Sequence, residues 1–174
     1  MLRRGRSAGR GRPGKGPEHP DSPEAARRAA LLLLGRRDYA SGELETKLTV
    51  SGYAPAAAAE AVAALKDERL LDDSRFLDNF VRAHAGRGQG PARIRQELAQ
   101  LGFASADIQA ALEAGPDFTA LCREVRARKF GARAPASWAE RGRQGRFLQY
   151  RGFSSDDIRL ATGQDPDDSE DPPE

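Results

Sequence analysis

The segment LAQLGF at residues 98–103 decides the fold of this 174-residue chain. Its pattern, a leucine, three further residues, a glycine and an aromatic residue, occurs fifty positions earlier at 48–53 and fifty later at 148–153. A helix that ends in this way is typical of a left-handed glycine cap, so we predict positive φ at Gly52, Gly102 and Gly152. Self-similarity at such a period indicates tandem repeats that bury apolar faces against one another. Repeats favour an extended binding surface over a catalytic pocket.

Cap and turn signals around these segments predict a helical chain. Alanine is abundant and β-branched residues are scarce, which favours packed helices over sheets. We predict nine helices at residues 23–35, 41–52, 55–65, 72–86, 91–101, 105–112, 117–130, 137–151 and 155–162. Ser41 and Ser105 are the expected N-caps of two of them. The sequence therefore predicts an all-α fold of three tandem three-helix repeats, at residues 23–71, 72–115 and 116–163.

The third repeat departs from the other two in its middle helix. Gln144 stands where Leu44 and Ile94 stand in the earlier repeats, and Gly142 and Gly145 lie inside the same helix. Glycine within a helix lowers its stability. We expect this helix to be the least stable of the nine, or to depend on its neighbours.

The two ends of the chain carry opposite charge. Residues 1–22 contain six basic and two acidic side chains, and residues 164–174 contain six acidic side chains and no basic one. Neither end has enough apolar residues to offset the entropy of ordering, so we expect a disordered basic arm and a disordered acidic tail. Cys122 is the only cysteine, which favours a reducing compartment, and no stretch is long enough to span a membrane. We expect a cytoplasmic monomer without a membrane partner.

Two stretches between the tails are rich in arginine. No acidic residue occurs from Asn79 to Gln96, and only Glu124 and Glu140 occur among the nine basic residues from Arg123 to Arg151. A lone arginine is usually a solvated surface residue. Two such stretches at related places in successive repeats favour a polyanion or an acidic protein partner. The backbone N–H groups at the helix start after Gly90 are an expected site for phosphate or carboxylate.

Signals of catalysis are poor. The two histidines, His19 and His84, are far apart in the sequence and have no cysteine or acidic cluster beside them. Residues 9–14 fit the letters of a dinucleotide fingerprint but follow no predicted strand and open no helix. Asp72 and Asp73 precede an apolar helix and fit a capping role. We expect that this protein is not an enzyme and that it has no metal site and no cofactor.

Four motifs in order resemble those of the RecX family of bacterial regulatory proteins. The stretch at residues 70–76, LLDDSRF, is similar to one signature of that family, with Leu70 in place of the usual aromatic residue. The stretches at residues 39–53, 88–102 and 146–158 resemble its other repeat patterns. The resemblance spans about residues 24–162.

The resemblance implies both an architecture and a partner. It implies an elongated, curved array of three three-helix repeats, and a negative modulator that binds the RecA recombinase filament on DNA and inhibits its ATPase and strand-exchange activities. It places the chain in DNA repair and homologous recombination, with weak, nonspecific binding of single- and double-stranded DNA. The alternative is a sequence-independent DNA-binding repeat protein that acts without the recombinase; a steep salt dependence on naked DNA would favour it.

We expect the main contacts with filament and DNA among ten basic residues of the two stretches. They are Arg82, Arg87, Arg93, Arg95, Arg126, Lys129, Arg141, Arg143, Arg146 and Arg151. Some of them are expected to serve the fold instead, since Arg146 and Arg151 neighbour aromatic residues that their stems can cover.

Overall fold

A computed structural model describes residues 16–163 of the chain. Over that range the backbone forms nine α-helices and no strand, which confirms the predicted all-α class. The helices are α1 (Pro23–Leu34), α2 (Ser41–Val50), α3 (Pro55–Asp67), α4 (Asp73–Gly86), α5 (Pro91–Gln100), α6 (Ser105–Glu113), α7 (Phe118–Phe130), α8 (Trp138–Tyr150) and α9 (Ser155–Thr162). None of the helices in this range is long and apolar enough to cross a membrane.

The three repeated glycines end the middle helices as predicted. The φ angles of Gly52, Gly102 and Gly152 are 102°, 88° and 90°. The following aromatic residue donates its backbone N–H to the leucine five positions earlier in each copy, at N···O distances of 3.2, 3.4 and 3.2 Å. These are the bonds of a Schellman motif, which satisfies carbonyl groups left unpaired at a helix end. The sequence repeat is therefore a repeated helix terminator.

Ser105 and Ser41 are not the N-caps that the sequence predicted. Ser105 is the first helical residue of α6, and Ala104 occupies its cap position without a side-chain bond. Ser41 is likewise the first residue of α2, and its hydroxyl donates to Asp73 Oδ2 at 2.6 Å. Asp73 Oδ1 accepts the Ser41 backbone N–H at 2.9 Å. A carboxylate from the first turn of α4 thus satisfies the start of α2, so the serine hydroxyl is a donor there.

The described residues divide into two compact units, of which the first contains residues 16–37 and 44–70. In it α1 packs against α3, through small side chains such as the buried Ala26, Ala30 and Ala58. Arg27 and Glu68 form an ion pair at 2.5 Å. Close-packed alanine helices need few large apolar residues, which agrees with the composition of this part of the chain.

Residues 16–22, which the sequence assigns to the basic arm, make backbone contacts with the first unit. The carbonyl oxygen of Pro20 accepts the N–H of Ala54 at 2.9 Å, and Ser22 caps α1 by accepting the N–H of Ala25 at 3.1 Å. Backbone pairing of this kind offsets the lack of apolar side chains in residues 16–22. Residues 1–15 of the arm and the acidic tail at 164–174 lie outside the described residues.

The second unit contains residues 38–43 and 71–163, and so joins the second and third repeats. Helices α4, α5 and α6 pack on one another, as do α7, α8 and α9. Ile94 and Leu98 lie in the core of the first set, and Leu148 and Phe153 in that of the second. Phe118 and Leu121 pack against both cores, and the neighbouring Cys122 is fully buried. The two repeats therefore share one continuous apolar interior.

A close approach of backbone joins these two repeats. The N–H of Gly90 donates to the carbonyl oxygen of Arg151 at 2.8 Å, and that of Ala92 donates to Gly152 at 3.0 Å. A Cβ atom added to Gly90 would lie 2.3 Å from the carbonyl carbon of Gly152. The start of α5 thus rests directly on the end of α8, and only glycine fits at that point.

Candidate binding surface

Four basic side chains from three parts of the second unit line one pocket. Its volume is about 180 Å³. Arg87 follows α4, Arg128 and Lys129 lie in the last turn of α7, and Arg151 follows α8. The rest of the lining is Gly88, Val125 and Phe147, so no acidic residue of the described chain lines it. The two basic stretches of the sequence therefore meet at this pocket.

Arg151 is held in place by two kinds of contact. Its Nη1 donates to the carbonyl oxygens of Arg87 and Gly88 at 3.1 and 3.2 Å. Its Cζ lies 4.9 Å from the centroid of the Phe147 ring, within the range of a cation–π interaction. A guanidinium has five N–H donors, so two carbonyl contacts leave donors for a ligand. Arg151 serves the fold and still lines the pocket.

A row of aromatic rings extends from the pocket along the same repeat. The ring of Phe147 meets Phe130 edge-on, at a centroid distance of 5.3 Å. Arg143 Cζ lies 5.9 Å from the centroid of Phe130. Arg151 and Arg143 thus lie at the two ends of a ladder, with the rings of Phe147 and Phe130 next to each other between them. The rings fix the positions of charges that would otherwise move freely.

The glycine joint before Pro91 is not the anion site that the sequence predicted. The N–H groups of Gly90 and Ala92 already donate to carbonyl oxygens at the end of α8, and Pro91 has no N–H. The prediction is wrong because the donors of this helix start are used in packing the third repeat. The joint contributes Arg87 and Gly88 to the lining of the pocket, and Arg87 is its only charged residue there.

The other three arginines of the first stretch are exposed and make contacts within their own repeat. Arg82 Nε donates to the carbonyl oxygen of Asp78 at 3.2 Å, and Arg93 Nε lies 3.0 Å from Glu97 Oε1. Arg95 Nη2 donates to Gln109 Oε1 at 2.7 Å. None of the three lines the pocket described above. They remain predicted contacts, on a surface partly neutralised by its own acids.

Arg126 is buried, which contradicts its place among the predicted contacts. It is 6% exposed, and its Nη1 donates to the carbonyl oxygen of Arg133 at 3.0 Å and lies 3.4 Å from Gln144 Oε1. Its Nη2 donates to the carbonyl oxygen of Ala132 at 3.2 Å. Gln144 is itself 4% exposed. The polar residue at a core position of α8 is therefore the partner of a buried arginine that holds the loop after α7.

The remaining predicted contacts lie on α7 and α8. Lys129 is exposed and lines the pocket, and Arg146 is exposed on α8. Arg141 is partly buried, and its Nε has no hydrogen-bond partner within residues 16–163. Sequence reasoning missed Arg128, although Val125, Arg128 and Lys129 have the three- and four-residue spacings that place side chains on one helix face. That spacing was the available signal.

The described residues contain no group of three side chains able to hold a metal ion. His84 stacks on the ring of Phe80, with the ring centroids 3.8 Å apart, and its Nδ1 lies 2.9 Å from Glu97 Oε2. Burial raises the pKa of the Cys122 thiol to about 12, so it is protonated at neutral pH. The four cations that line the pocket suit an anionic group.

Three family models, each of one three-helix domain of RecX, match successive parts of the chain. The first three-helix domain of RecX matches residues 26–65, the second matches residues 72–112, and the third matches residues 117–162. The matched ranges lie within the three repeats predicted from the sequence. Together they include most of the described residues.

Named relatives are similar over nearly their full length. Regulatory protein RecX of Halorhodospira halophila is 47% identical over 148 residues, covering 84% of this chain and 92% of that protein. Regulatory protein RecX of Pseudomonas fluorescens strain Pf-5 is 46% identical over 150 residues, covering 85% of this chain and 97% of that protein. Identity at this level over such a length shows common descent and a common fold.

Solved structures share the fold at lower sequence identity. The crystal structure of RecX from Lactobacillus salivarius has a TM-score of 0.69 and 21% identity, and covers 80% of this chain and 93% of that one. A crystal structure of regulatory protein RecX has a TM-score of 0.67 and 22% identity, covering 80% of this chain and 70% of that one. The three-helix repeats are therefore also found in experimentally solved structures.

Proposed function

The chain belongs to the RecX family, and we propose that it is a negative modulator of the RecA recombinase that binds the recombinase filament on DNA. Bound there, it lowers the rates of ATP hydrolysis and strand exchange. The observation that carries the proposal is the match of all three RecX domains, in order, over residues 26–162.

The basic pocket and its ladder support this proposal. A protein filament on DNA offers two kinds of anion, the carboxylates of the protein and the phosphates of the DNA. Arg87, Lys129 and Arg151 suit either group, because arginine and lysine donate to both and arginine can do so through two parallel bonds. A surface of this kind also raises the rate of encounter with a highly charged partner.

The pairing pattern of the arginines suggests a division of roles. In the second repeat, Arg93 is paired with Glu97 in an exposed ion pair, which contributes little to stability and reduces the local positive charge. In the third repeat the cations around the pocket outnumber the acids, with Glu124 paired to Arg128 at 2.7 Å. The third repeat therefore makes most of the contacts with DNA. The second repeat makes contacts through both its basic and its acidic side chains.

The direct test is a titration of the full chain into a RecA ATPase assay on single-stranded DNA, with binding to the same DNA alone measured in the same buffer. The proposal predicts that ATP hydrolysis falls at protein concentrations too low to occupy naked DNA. Hydrolysis that falls only in step with occupancy of naked DNA would indicate competition for the strand, and so contradict binding to the filament.

The pocket also favours a second function, sequence-independent DNA binding without the recombinase. Its four cations and the absence of acids among its lining residues suit the recognition of phosphate. Under this alternative, naked-DNA affinity falls steeply with salt and the recombinase makes no difference to the affinity. A gain in affinity when filament replaces naked DNA, at fixed salt, rules it out as the main activity.

A further inference from the structure

We propose that the pocket lined by Arg87, Arg128, Lys129 and Arg151 binds one phosphate of a nucleic-acid backbone. The strand continues from there along the ladder toward Arg143. The proposal rests on the proposed function, since both use the same basic surface, and it names the ligand at one point of that surface. The pocket's volume, about 180 Å³, is large enough for a phosphodiester and part of its sugar.

Part of the positive charge at the pocket is explained by the helix ends that meet there. Arg87 follows the end of α4, Lys129 lies in the last turn of α7, and Arg151 follows the end of α8, so three helix C-termini meet here. Each C-terminus carries about half a negative charge, and cations near it are favourable for that reason alone. Three such ends offset roughly 1.5 of the four positive charges, which leaves about 2.5.

Glu124, the acidic residue nearest in sequence to Arg128, offsets one further positive charge. Glu124 Oε1 lies 2.7 Å from Arg128 Nη2, in an exposed pair one helical turn apart. A net positive charge of about 1.5 remains after that pair is counted. A phosphodiester carries one negative charge, so the surplus is of the size that one phosphate neutralises. Helix ends alone therefore account for part of the cluster and leave the remainder for a ligand.

The pocket is organised before any ligand arrives. Two carbonyl oxygens and the ring of Phe147 fix the guanidinium of Arg151, so little side-chain entropy is lost when it binds. Val125, 6% exposed, provides a rigid apolar floor beside it. Fixed donors over an apolar floor bind an anion more tightly than mobile side chains in open water do, because the local dielectric constant is lower.

The ladder favours a phosphate backbone over an acidic side chain. A single aspartate or glutamate of a protein partner would occupy the pocket alone. A strand carries a phosphate at every nucleotide, and Arg143 on Phe130 offers a second cation along the line of rings that begins at Arg151. A cluster of cations at the pocket followed by a further cation at Arg143 fits successive phosphates of one strand, so we assign the surface to nucleic acid.

The variants for the test change two exposed residues of the pocket, and the control changes an exposed residue of α7 outside it. Lys129 and Arg87 line the pocket and are exposed, so their neutral variants Lys129→Gln and Arg87→Gln leave the core intact. Arg123 is exposed on the same helix, and the helix turn places it about 120° to 140° from Arg128 and Lys129, away from the pocket. Arg123→Gln is the matched control, since it removes the same charge from the same helix.

The experiment measures binding of the full chain to fluorescently labelled oligothymidylate by anisotropy, without recombinase, over a series of salt concentrations. Each pocket variant is expected to lower the affinity about three- to tenfold and the salt slope by about one unit, while Arg123→Gln changes the affinity less than twofold. Pyrophosphate is expected to compete with the DNA for the parent and to compete less for Lys129→Gln.

Two results overturn the assignment. One is an equal loss of affinity in Lys129→Gln and Arg123→Gln, which would mean that only the overall charge matters. The other is competition by a polyglutamate peptide of equal charge that is stronger than competition by unlabelled oligothymidylate, which would make the pocket a seat for a protein partner. Neither result contradicts the proposed control of the recombinase if the parent chain still lowers RecA ATP hydrolysis at protein concentrations too low to occupy naked DNA.

Discussion

The second and third repeats solve the same packing problem with different chemistry. In the second, Ile94 of α5 is fully buried in an apolar cluster. In the third, the corresponding position of α8 is Gln144, which is buried against the guanidinium of Arg126. The apolar core gains free energy from burial alone, whereas the stability of the polar core depends on how many buried donors find acceptors. Arg126 Nε finds none within residues 16–163.

A count of basic residues in the sequence therefore overstates the positive charge of the surface. Arg126 belongs to the densest basic stretch, yet it lies inside the protein and binds two carbonyls of the loop after α7. Arg128 and Lys129, two and three residues further on, line the pocket. Adjacent cations on one helix therefore divide between fold and binding according to the face on which they lie.

The largest expected effect comes from breaking the contact that joins the two repeats. Gly90 has φ −86° and ψ 167°, which any residue adopts, so the cost of Gly90→Ala arises from its Cβ lying 2.3 Å from the backbone of Gly152. We expect a loss of about 3 kcal/mol or more in the free energy of unfolding, measured by urea denaturation.

Two other glycines serve as controls for that loss. Gly102 has φ +88° and no atom within 4 Å of an added Cβ, so Gly102→Ala should cost only the backbone strain of about 1 kcal/mol. Gly86, at the end of α4, also has open space around it, and Gly86→Ala should be neutral or stabilising by up to about 1 kcal/mol. If Gly90→Ala proves as mild as Gly86→Ala, the two repeats are not interlocked as described.

The second effect tests the polar core of the third repeat. Arg126→Leu removes the partner of Gln144 and of two loop carbonyls, and we expect it to lower the free energy of unfolding by about 2–4 kcal/mol. The double variant Arg126→Leu with Gln144→Leu should recover at least about 1 kcal/mol, because two apolar residues replace an orphaned polar one.

Arg123→Leu is the control for this pair, since it changes an exposed arginine of the same helix and should shift stability by less than about 0.5 kcal/mol. A mild Arg126→Leu, equal to this control, would show that the buried guanidinium contributes nothing to the third repeat. A double variant less stable than Arg126→Leu alone would show that Gln144 has a role independent of the arginine.

The smallest effect concerns the thiol in the core of the third repeat. Burial raises the pKa of Cys122 to about 12, whereas the unfolded thiol ionises near its ordinary value of about 8.5. The unfolded state therefore loses its proton first, and stability that is complete below pH 8.5 falls as the pH rises toward 12. Cys122→Ala should remove this part of the alkaline decline, seen as a shallower fall of melting temperature between pH 9 and about 10.5.

Much of the fold follows from the sequence, because its signals are local. A glycine after a leucine-ended helix determines the Schellman cap through backbone geometry alone, and Gly52, Gly102 and Gly152 adopt the predicted left-handed conformation. Single-residue caps are less certain, since Asp73 from another helix takes the role predicted for Ser41. That substitution depends on which side chain tertiary packing brings within reach.

The binding surface was predictable in its composition but not in its geometry. Arg87, Lys129 and Arg151 were all among the predicted contacts, yet nothing local indicates that three helix ends would bring them around one pocket. The loss of the predicted anion site at Gly90 has the same cause, because the N–H groups of Gly90 and Ala92 donate to a helix end about sixty residues away. Gln144 at a core position was the one sequence signal that pointed to a buried polar partner.

We propose that this chain restrains the recombinase through the basic pocket of its second unit. The most direct measurement is the rate of RecA ATP hydrolysis on single-stranded DNA, titrated with the parent chain, with Arg87→Glu combined with Lys129→Glu, and with Arg123→Glu. We predict that the parent and Arg123→Glu inhibit at the same concentrations, and that the double variant needs at least about tenfold more protein, the cost of losing two charge contacts. Equal inhibition by the double variant and the parent, at equal helicity and melting temperature, would contradict the claim.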